Sequence, residues 1–402
     1  MNSNRFSRRS LMQATGAVAG GLAASRLMTG DGLLSRTAFG QTAAEKPALL
    51  VLYMNGGFNT LFGSADSFAP AGTFGVTAGN MQALAGGLVI DAPTFGTLPA
   101  YALSHMATVG IRHGITSHAA AQMANMSDGT RSYGLRLASV LGGDAAIKAV
   151  NLGAAMMPGP RPAEGAVSLQ QVNDLKSTIA ALGGASDPTI PDRKIGAAGI
   201  TAAQAMSAGR IAASPVMLTG MRDGLQSGID TLSKPVQAFD YAAMATAYGM
   251  APTATGVTNF TSKLLAAELM ITAGANFAIA VDGGWDTHGD RTGSTVRTNM
   301  NARILPPLKV FINRMMNIPN RNVVIAILGD FGRSLPGSDH ASALNSIVIG
   351  KYVKVGTTGK VAANVTLPTG TPSVPGFWSY LSKALKVPTE PFGANPHTSI
   401  LL

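Results

Sequence analysis

Two short clusters in this chain hold residue types that bind metal ions. One is Gly283-Gly284-Trp285-Asp286-Thr287-His288. The other opens with Gly329-Asp330-Phe331-Gly332-Arg333 and continues to Gly337-Ser338-Asp339-His340. Between them they bring three carboxylates and two imidazoles. Asp286 and His288 lie two apart, so from an extended segment both side chains point to one side. They offer one hard oxygen and one borderline nitrogen, which suits Zn²⁺ or Mn²⁺ better than Ca²⁺. Asp339 and His340 are adjacent and cannot both reach one ion from a regular strand. From a loop they can serve one ion, or two neighbouring ones.

Other residues near these clusters have two readings each. Arg333 either neutralises the carboxylates or clamps an anionic substrate, since its planar fork fits phosphate, sulfate or carboxylate. Asn59 is an extra oxygen ligand or a turn former after Gly56-Gly57. Thr60 is the nearest hydroxyl, a nucleophile if a metal depresses its pKa. His118, entering a helix, is a ligand or a capping or core histidine. Trp285 packs under its loop or offers a stacking platform. His105, His113 and His397 have no clear companions and read as structural.

The elements that must position these groups are apolar runs ending beside them. Residues 48–54 read as a fully buried first strand running into Asn55-Gly56-Gly57. A short strand over 106–112 leads to His118, and a helix is expected over 119–142. A helix over 259–273 precedes a strand over 276–281, which empties into the Trp285 loop. A helix over 296–316 then precedes a strand over 323–328, which ends at Asp330. A strand over 346–354 and a closing helix over 376–385 complete the fold. Residues 150–255, rich in Gly, Pro, Ala and Met, are expected to supply covering helices. Strands alternating with helices predict an α/β fold, a mostly parallel sheet with helices on both faces. The carboxyl edge of such a sheet is where ligands bind.

Composition narrows the class. Of 402 residues only 12% are charged, 48 are Gly and 22 are Pro, which implies many turns and a large core. The body contains no uninterrupted run of about 18 apolar residues, so no transmembrane segment is expected there. At the N-terminus, Ser7-Arg8-Arg9-Ser10-Leu11-Met12 precedes a weakly apolar Ala/Gly stretch over 14–24. Ala38-Phe39-Gly40 then offers small residues for cleavage before Gln41. This predicts a twin-arginine export signal over 1–40, passage through the twin-arginine translocon, and a periplasmic or extracellular location for a single domain over 41–402. Removing 1–40 takes away five Arg and one Asp, lowering the formal charge from +10 to +6. No basic run or basic-aromatic interleaving is present, so nucleic acid is not expected as a partner. There is no cysteine, which excludes thiol catalysis, thiolate-bound zinc and disulfides.

Taken in order, these motifs resemble the bacterial domain-of-unknown-function 1501 family of twin-arginine-exported proteins, itself similar to the alkaline phosphatase and sulfatase superfamily. The shared features are the export signal, the strand ending in Gly-Gly, the Ser117-His118 pair, the Trp-Asp-Thr-His loop, the acidic-Phe-Gly-Arg strand end and the Gly-Ser-Asp-His loop. The resemblance spans most of 48–360, more loosely in the middle third. It implies a three-layer α/β/α sandwich with a metal centre at the carboxyl edge of the sheet. It carries metal-binding roles onto Asn59, Asp286, His288, Asp330 and His340 with Asp339 beside it, and places His118 in the family's Ser-His segment.

The chain departs from that family in four places. Asn59 stands where Asp is usual, Ala119-Ala120 where an aromatic and Asp follow the Ser-His pair, Asp330 where Glu is usual, and Ala341 where Gly is common. With fewer carboxylates, one divalent ion (Zn, Mn or Ca) held by Asp286, His288, Asp330 and His340 is expected rather than two. The activity implied is metal-dependent hydrolysis of phosphate or sulfate esters, with a small molecule or envelope polymer as substrate and Thr60 and Arg333 as catalytic residues. The alternative is a catalytically degenerate envelope protein, binding or structural, that keeps a partial metal site.

Overall fold

A strand covered on both faces has no reason to alternate polar with apolar residues, and Lys46–Met54 does not. Its last seven residues, Ala48 to Met54, are all buried. In the computed structural model of the chain this strand, β1, lies within an eight-stranded sheet. The structure describes residues 45–402 apart from 144, 146, 161–162, 166, 182–201, 203–204, 206–238 and 334–337. The expected export signal over 1–40 and much of the expected covering helices in 150–255 lie outside the described residues. The described chain from Lys46 to Leu402 forms one compact unit.

The other strands of the sheet are β2 (Met106–Arg112), β3 (Ala149–Leu152), β4 (Leu169–Val172), β5 (Phe277–Asp282), β6 (Arg321–Gly329), β7 (Ala343–Gly350) and β8 (Gly356–Thr357). Their order across the sheet is β8-β2-β7-β6-β1-β5-β3-β4. β1 pairs in parallel with β5 on one side and with β6 on the other. Every pairing in this sheet is parallel except the two made by β7, against β2 and β6. The fold is therefore α/β with a mixed, mostly parallel sheet. The reversal of β7 matters below, because it brings the start of that strand to the edge where its neighbours end.

Five helices are the longest among the described residues: α1 (His118–Met126), α2 (Tyr133–Leu141), α3 (Phe260–Thr272), α4 (Leu305–Met315) and α5 (Val374–Ala384). α2 and α3 both pack on β5 and β3, and α3 also packs on α4. The single helix expected over 119–142 is divided into α1 and α2. The Asp128 carboxylate accepts from the backbone N–H groups of Thr130 (3.1 Å) and Arg131 (2.7 Å), a local turn that competes with helix. Ser132 then restarts the chain as N-cap of α2. The helix expected over 296–316 also changes register, passing through a π turn at Met300–Ile304 before α4. Pro306 and Pro307 at the start of α4 bring no N–H to the ladder there. No helix among the described residues is long and apolar enough to cross a membrane.

Candidate metal centre

Five neighbouring strands deliver side chains to one edge of the sheet. β1 ends at Met54 and runs into Asn55-Gly56-Gly57, β5 runs into the Trp285 loop, β6 into Asp330, and β2 into the segment leading to α1. β7 runs the other way, so the segment before it, His340–Ala341, reaches the same edge. That segment pairs with Gly332–Arg333, which pairs in turn with Phe58–Asn59, making a small three-stranded sheet over the site.

Close crossing of these loops requires glycine. Gly56 has φ +117°, and a Cβ placed on it would stand 2.3 Å from the Asp286 backbone nitrogen. Only a residue without a side chain lets the Trp285-Asp286 loop lie across the end of β1. The Gly56 N–H donates to Asp330 Oδ2 at 3.1 Å, so this one turn touches the products of both flanking strands.

His118, Asp286 and His340 form a group that can hold a metal ion, each offering one ligand atom with all of these within 4.8 Å of one another. His118 Nε2 is 3.5 Å from Asp286 Oδ2, and His340 Nε2 is 3.4 Å from Asp286 Oδ1. His288 joins them. Its Nε2 is 3.1 Å from Asp286 Oδ1 and 3.0 Å from His340 Nε2. The Phe331 ring lies against His340 and His118, with centroids 4.3 Å and 4.9 Å away. The Asp286 side chain remains about half exposed, at 47%, so the group opens to water. Burial pulls the Asp286 carboxyl upward. The hydrogen bond and charge of Arg333, with the charges of His288 and His118, outweigh that and hold it below the usual carboxylate range.

The other carboxylates expected as ligands take different positions. Asp330 is fully buried. Its Oδ2 faces His118 Nδ1 at 2.7 Å and also accepts from Gln122 Nε2 at 3.2 Å. Asp339 Oδ1 faces His288 Nδ1 at 2.6 Å. Asn59 is buried, and its side-chain oxygen accepts from the Leu61 N–H, capping the turn Thr60–Phe62.

Thr60 and Arg333, the expected catalytic pair, are both fully buried. The Thr60 hydroxyl donates to the Arg333 carbonyl at 3.4 Å. The Arg333 guanidinium donates to the Ser338 carbonyl (3.0 Å), the Trp285 carbonyl (3.1 Å) and the Asp286 carboxylate. In this position Arg333 ties the two loops of the site together, and neither residue presents a surface to substrate.

The remaining singled-out residues lie as follows. Trp285 is buried, and its Nε1–H donates to Asp282 Oδ2 at 2.8 Å. His105 stacks on Tyr101. His113 Nδ1 accepts from the Ile115 N–H, and His397 Nδ1 contacts the Thr358 hydroxyl. Burial pushes both of these imidazoles down to about 4. Sequence reasoning passed over the Thr116 carbonyl, which lies 2.7 Å from His340 Nδ1. It also missed Gln122, although its position four residues after His118 puts both on one helix face.

No protein-family model matches the chain, and no curated protein matches it.

Proposed function

We propose that the chain is an exported, metal-dependent hydrolase of phosphate or sulfate esters with an alkaline phosphatase/sulfatase-like α/β/α sandwich. In this reading it works in the periplasm or outside the cell, after passage through the twin-arginine translocon. The observation that carries the reading is the grouping of His118, Asp286 and His340, with His288 beside them, at the half-exposed carboxyl edge of the sheet. Donors of this kind fit a divalent ion: neutral imidazole nitrogens and one carboxylate that Arg333 keeps ionised. A bound ion supplies Lewis acidity, polarising an ester oxygen and making nearby water more acidic.

The protein's own part is to hold and orient. Arg333 fixes the Asp286 carboxylate from the buried side, leaving its outer face to the site. The Phe331 ring sets the planes of His118 and His340. The Thr60 hydroxyl is buried against the Arg333 carbonyl, so water is the nucleophile in this reading. The test is a panel of phosphate and sulfate monoesters offered to protein loaded in turn with Zn²⁺, Mn²⁺ and Ca²⁺. Turnover that chelation and Asp286→Ala both abolish supports the proposal. No turnover on any ester by fully loaded protein contradicts it.

One observation favours a second reading, an envelope-binding or structural protein that uses the ion for stability. Arg333 spends its fork on protein groups and is fully buried, so the site lacks a free cation from that residue for an anionic ester. A large rise in melting temperature on metal addition, with binding to envelope polysaccharide and no turnover, is the outcome that reading expects.

A further inference from the structure

The amino edge of the sheet, at the other end of the strands from the candidate metal centre, gathers lysines. β1 and β6 start there, with Lys46 beside Arg321 in register. β7 runs the other way and so ends there. Its last residue, Gly350, lies beside Val324 of β6, and Lys351 and Lys354 follow. α5 also ends at this edge, because the Asn322 side-chain amide donates to the Ala384 carbonyl at 3.0 Å, and Lys386 comes just after. Adjacent strands stand about 4.8 Å apart, so two spacings, about 10 Å, separate β1 from β7. Lys46, Lys351, Lys354 and Lys386 are all exposed.

Two apolar groups sit among these cations. The Tyr352 ring is half-buried, with Lys386 Nζ 3.9 Å and Lys351 Nζ 5.6 Å from its centroid. Leu402 is 63% exposed, the most exposed large apolar side chain among the described residues. It is held beside Tyr352, since its N–H donates to the Tyr352 carbonyl at 3.0 Å. The Lys354 N–H donates in the same way to the Ile400 carbonyl. Acids are fewer here: Glu45 precedes Lys46, and Glu390 pairs with Lys383 at 3.2 Å. The Lys386 ammonium reaches the Leu402 main-chain oxygen at 3.4 Å. Among the described residues, no carboxylate side chain pairs with Lys46, Lys354 or Lys386. At the carboxyl edge, by contrast, Arg303 and Arg333 are matched to Asp282 and Asp286.

We infer that the amino edge docks on an anionic lipid bilayer, with the lysines over phosphate headgroups and Tyr352 and Leu402 at the boundary between headgroups and acyl chains. Each lysine near an anionic membrane surface strengthens binding about fivefold. The apolar pair selects a bilayer over a soluble polyanion. An aromatic ring and an exposed Leu gain by entering the interface, whereas a polyanion engages the lysines alone. Docking by this edge turns the candidate metal centre away from the bilayer. It holds that centre about 30 Å above the surface, the length of the nine-residue β1. None of this requires an ion at the opposite edge.

The experiment is co-sedimentation of residues 41–402, which keep the whole compact unit from Lys46 to Leu402, with lipid vesicles. One set is phosphatidylcholine alone, the other an equal mixture of phosphatidylcholine and phosphatidylglycerol. Binding to the mixed vesicles alone is expected at low salt, and it should be lost by about 0.5 M salt. Lys46→Gln, Lys354→Gln and Lys386→Gln together are expected to weaken it about a hundredfold. Leu402→Ser is expected to weaken it about three- to tenfold. Both proteins should melt as the parent does, since the altered side chains are exposed. Arg291→Gln, an exposed cation of the Trp285 loop, should bind like the parent. Vesicle binding that is absent at low salt, that survives the triple change, or that Arg291→Gln weakens equally overturns the assignment. Unchanged affinity in Leu402→Ser, or binding to soluble polyphosphate without binding to vesicles, overturns the choice of a bilayer.

Discussion

His118 bridges two carboxylates that arrive from different strands: its Nδ1 lies 2.7 Å from Asp330 Oδ2, and its Nε2 lies 3.5 Å from Asp286 Oδ2. One of these carboxylates is sealed in the core and the other is about half exposed. The imidazole thus separates a buried carboxylate that holds its ring from a half-exposed one that faces the candidate ion site. Three predictions concern this division and the loops that enforce it, and a fourth concerns a buried histidine outside the site.

The Gly56 turn is expected to tolerate no side chain. Gly56→Ala adds a Cβ where Asp286 N already stands, at a φ of +117° that L residues avoid. Urea unfolding of this variant is expected to show a loss of about 2–4 kcal/mol. Zinc affinity should also fall, because the displaced segment carries Asp286. An unchanged midpoint with full zinc affinity would show that the loops do not cross as described.

Arg333 is expected to behave as a strut. Arg333→Met takes the guanidinium donor from the Ser338 and Trp285 carbonyls and removes the cation beside the Asp286 carboxylate. About 3–5 kcal/mol of stability should be lost. Arg333→Lys should recover little of it, because one ammonium cannot reproduce a planar fork reaching three acceptors. Full stability in the Lys variant would assign the residue a purely electrostatic role.

The sheet and the outline of the site were legible in the sequence for one physical reason. β1, β5 and β6 are buried on both faces, so their sequences are continuous apolar runs, and glycine or acid marks where each run stops. That placed Asp286, His288 and Asp330 at a common edge. An apolar run carries no sign of direction, however, so the reversal of β7 was hidden. Four-residue strands such as β3 and β4 are too short to show a period. Nor does spacing tell whether a carboxylate faces an ion or a ring. Asp330 holds His118 across 212 residues of sequence, a contact made by where α1 lies. The Thr116 carbonyl is a backbone group that residue type cannot announce.

Acid is expected to destabilise the metal-free protein through a histidine outside the site. Burial lowers His397 from 6.5 to about 4, so the proton prefers the unfolded chain. Its contribution is complete above about pH 6.5 and is lost as pH falls toward 4. Chemical unfolding should show His397 alone contributing a loss of about 2 kcal/mol between about pH 7 and about pH 5. His397→Gln should remove that part of the slope. Parallel pH profiles for the two proteins would refute the assignment.

Placing an acid at position 59, after the first strand, is expected not to create a second metal site. Asn59 is buried and its oxygen caps the Thr60–Phe62 turn. Asn59→Asp should therefore still bind one ion per chain by metal analysis, with stability reduced by the buried charge. Two equivalents of bound zinc would show that the side chain faces the ion after all.

The most direct test of the central claim is zinc-edge X-ray absorption on the untagged chain carrying one equivalent of zinc. The arrangement of His118, His288, His340 and Asp286 predicts three imidazole nitrogens and one oxygen at about 2.0–2.2 Å, falling to two imidazoles in His288→Ala. An oxygen-only shell, or a single imidazole, would contradict it.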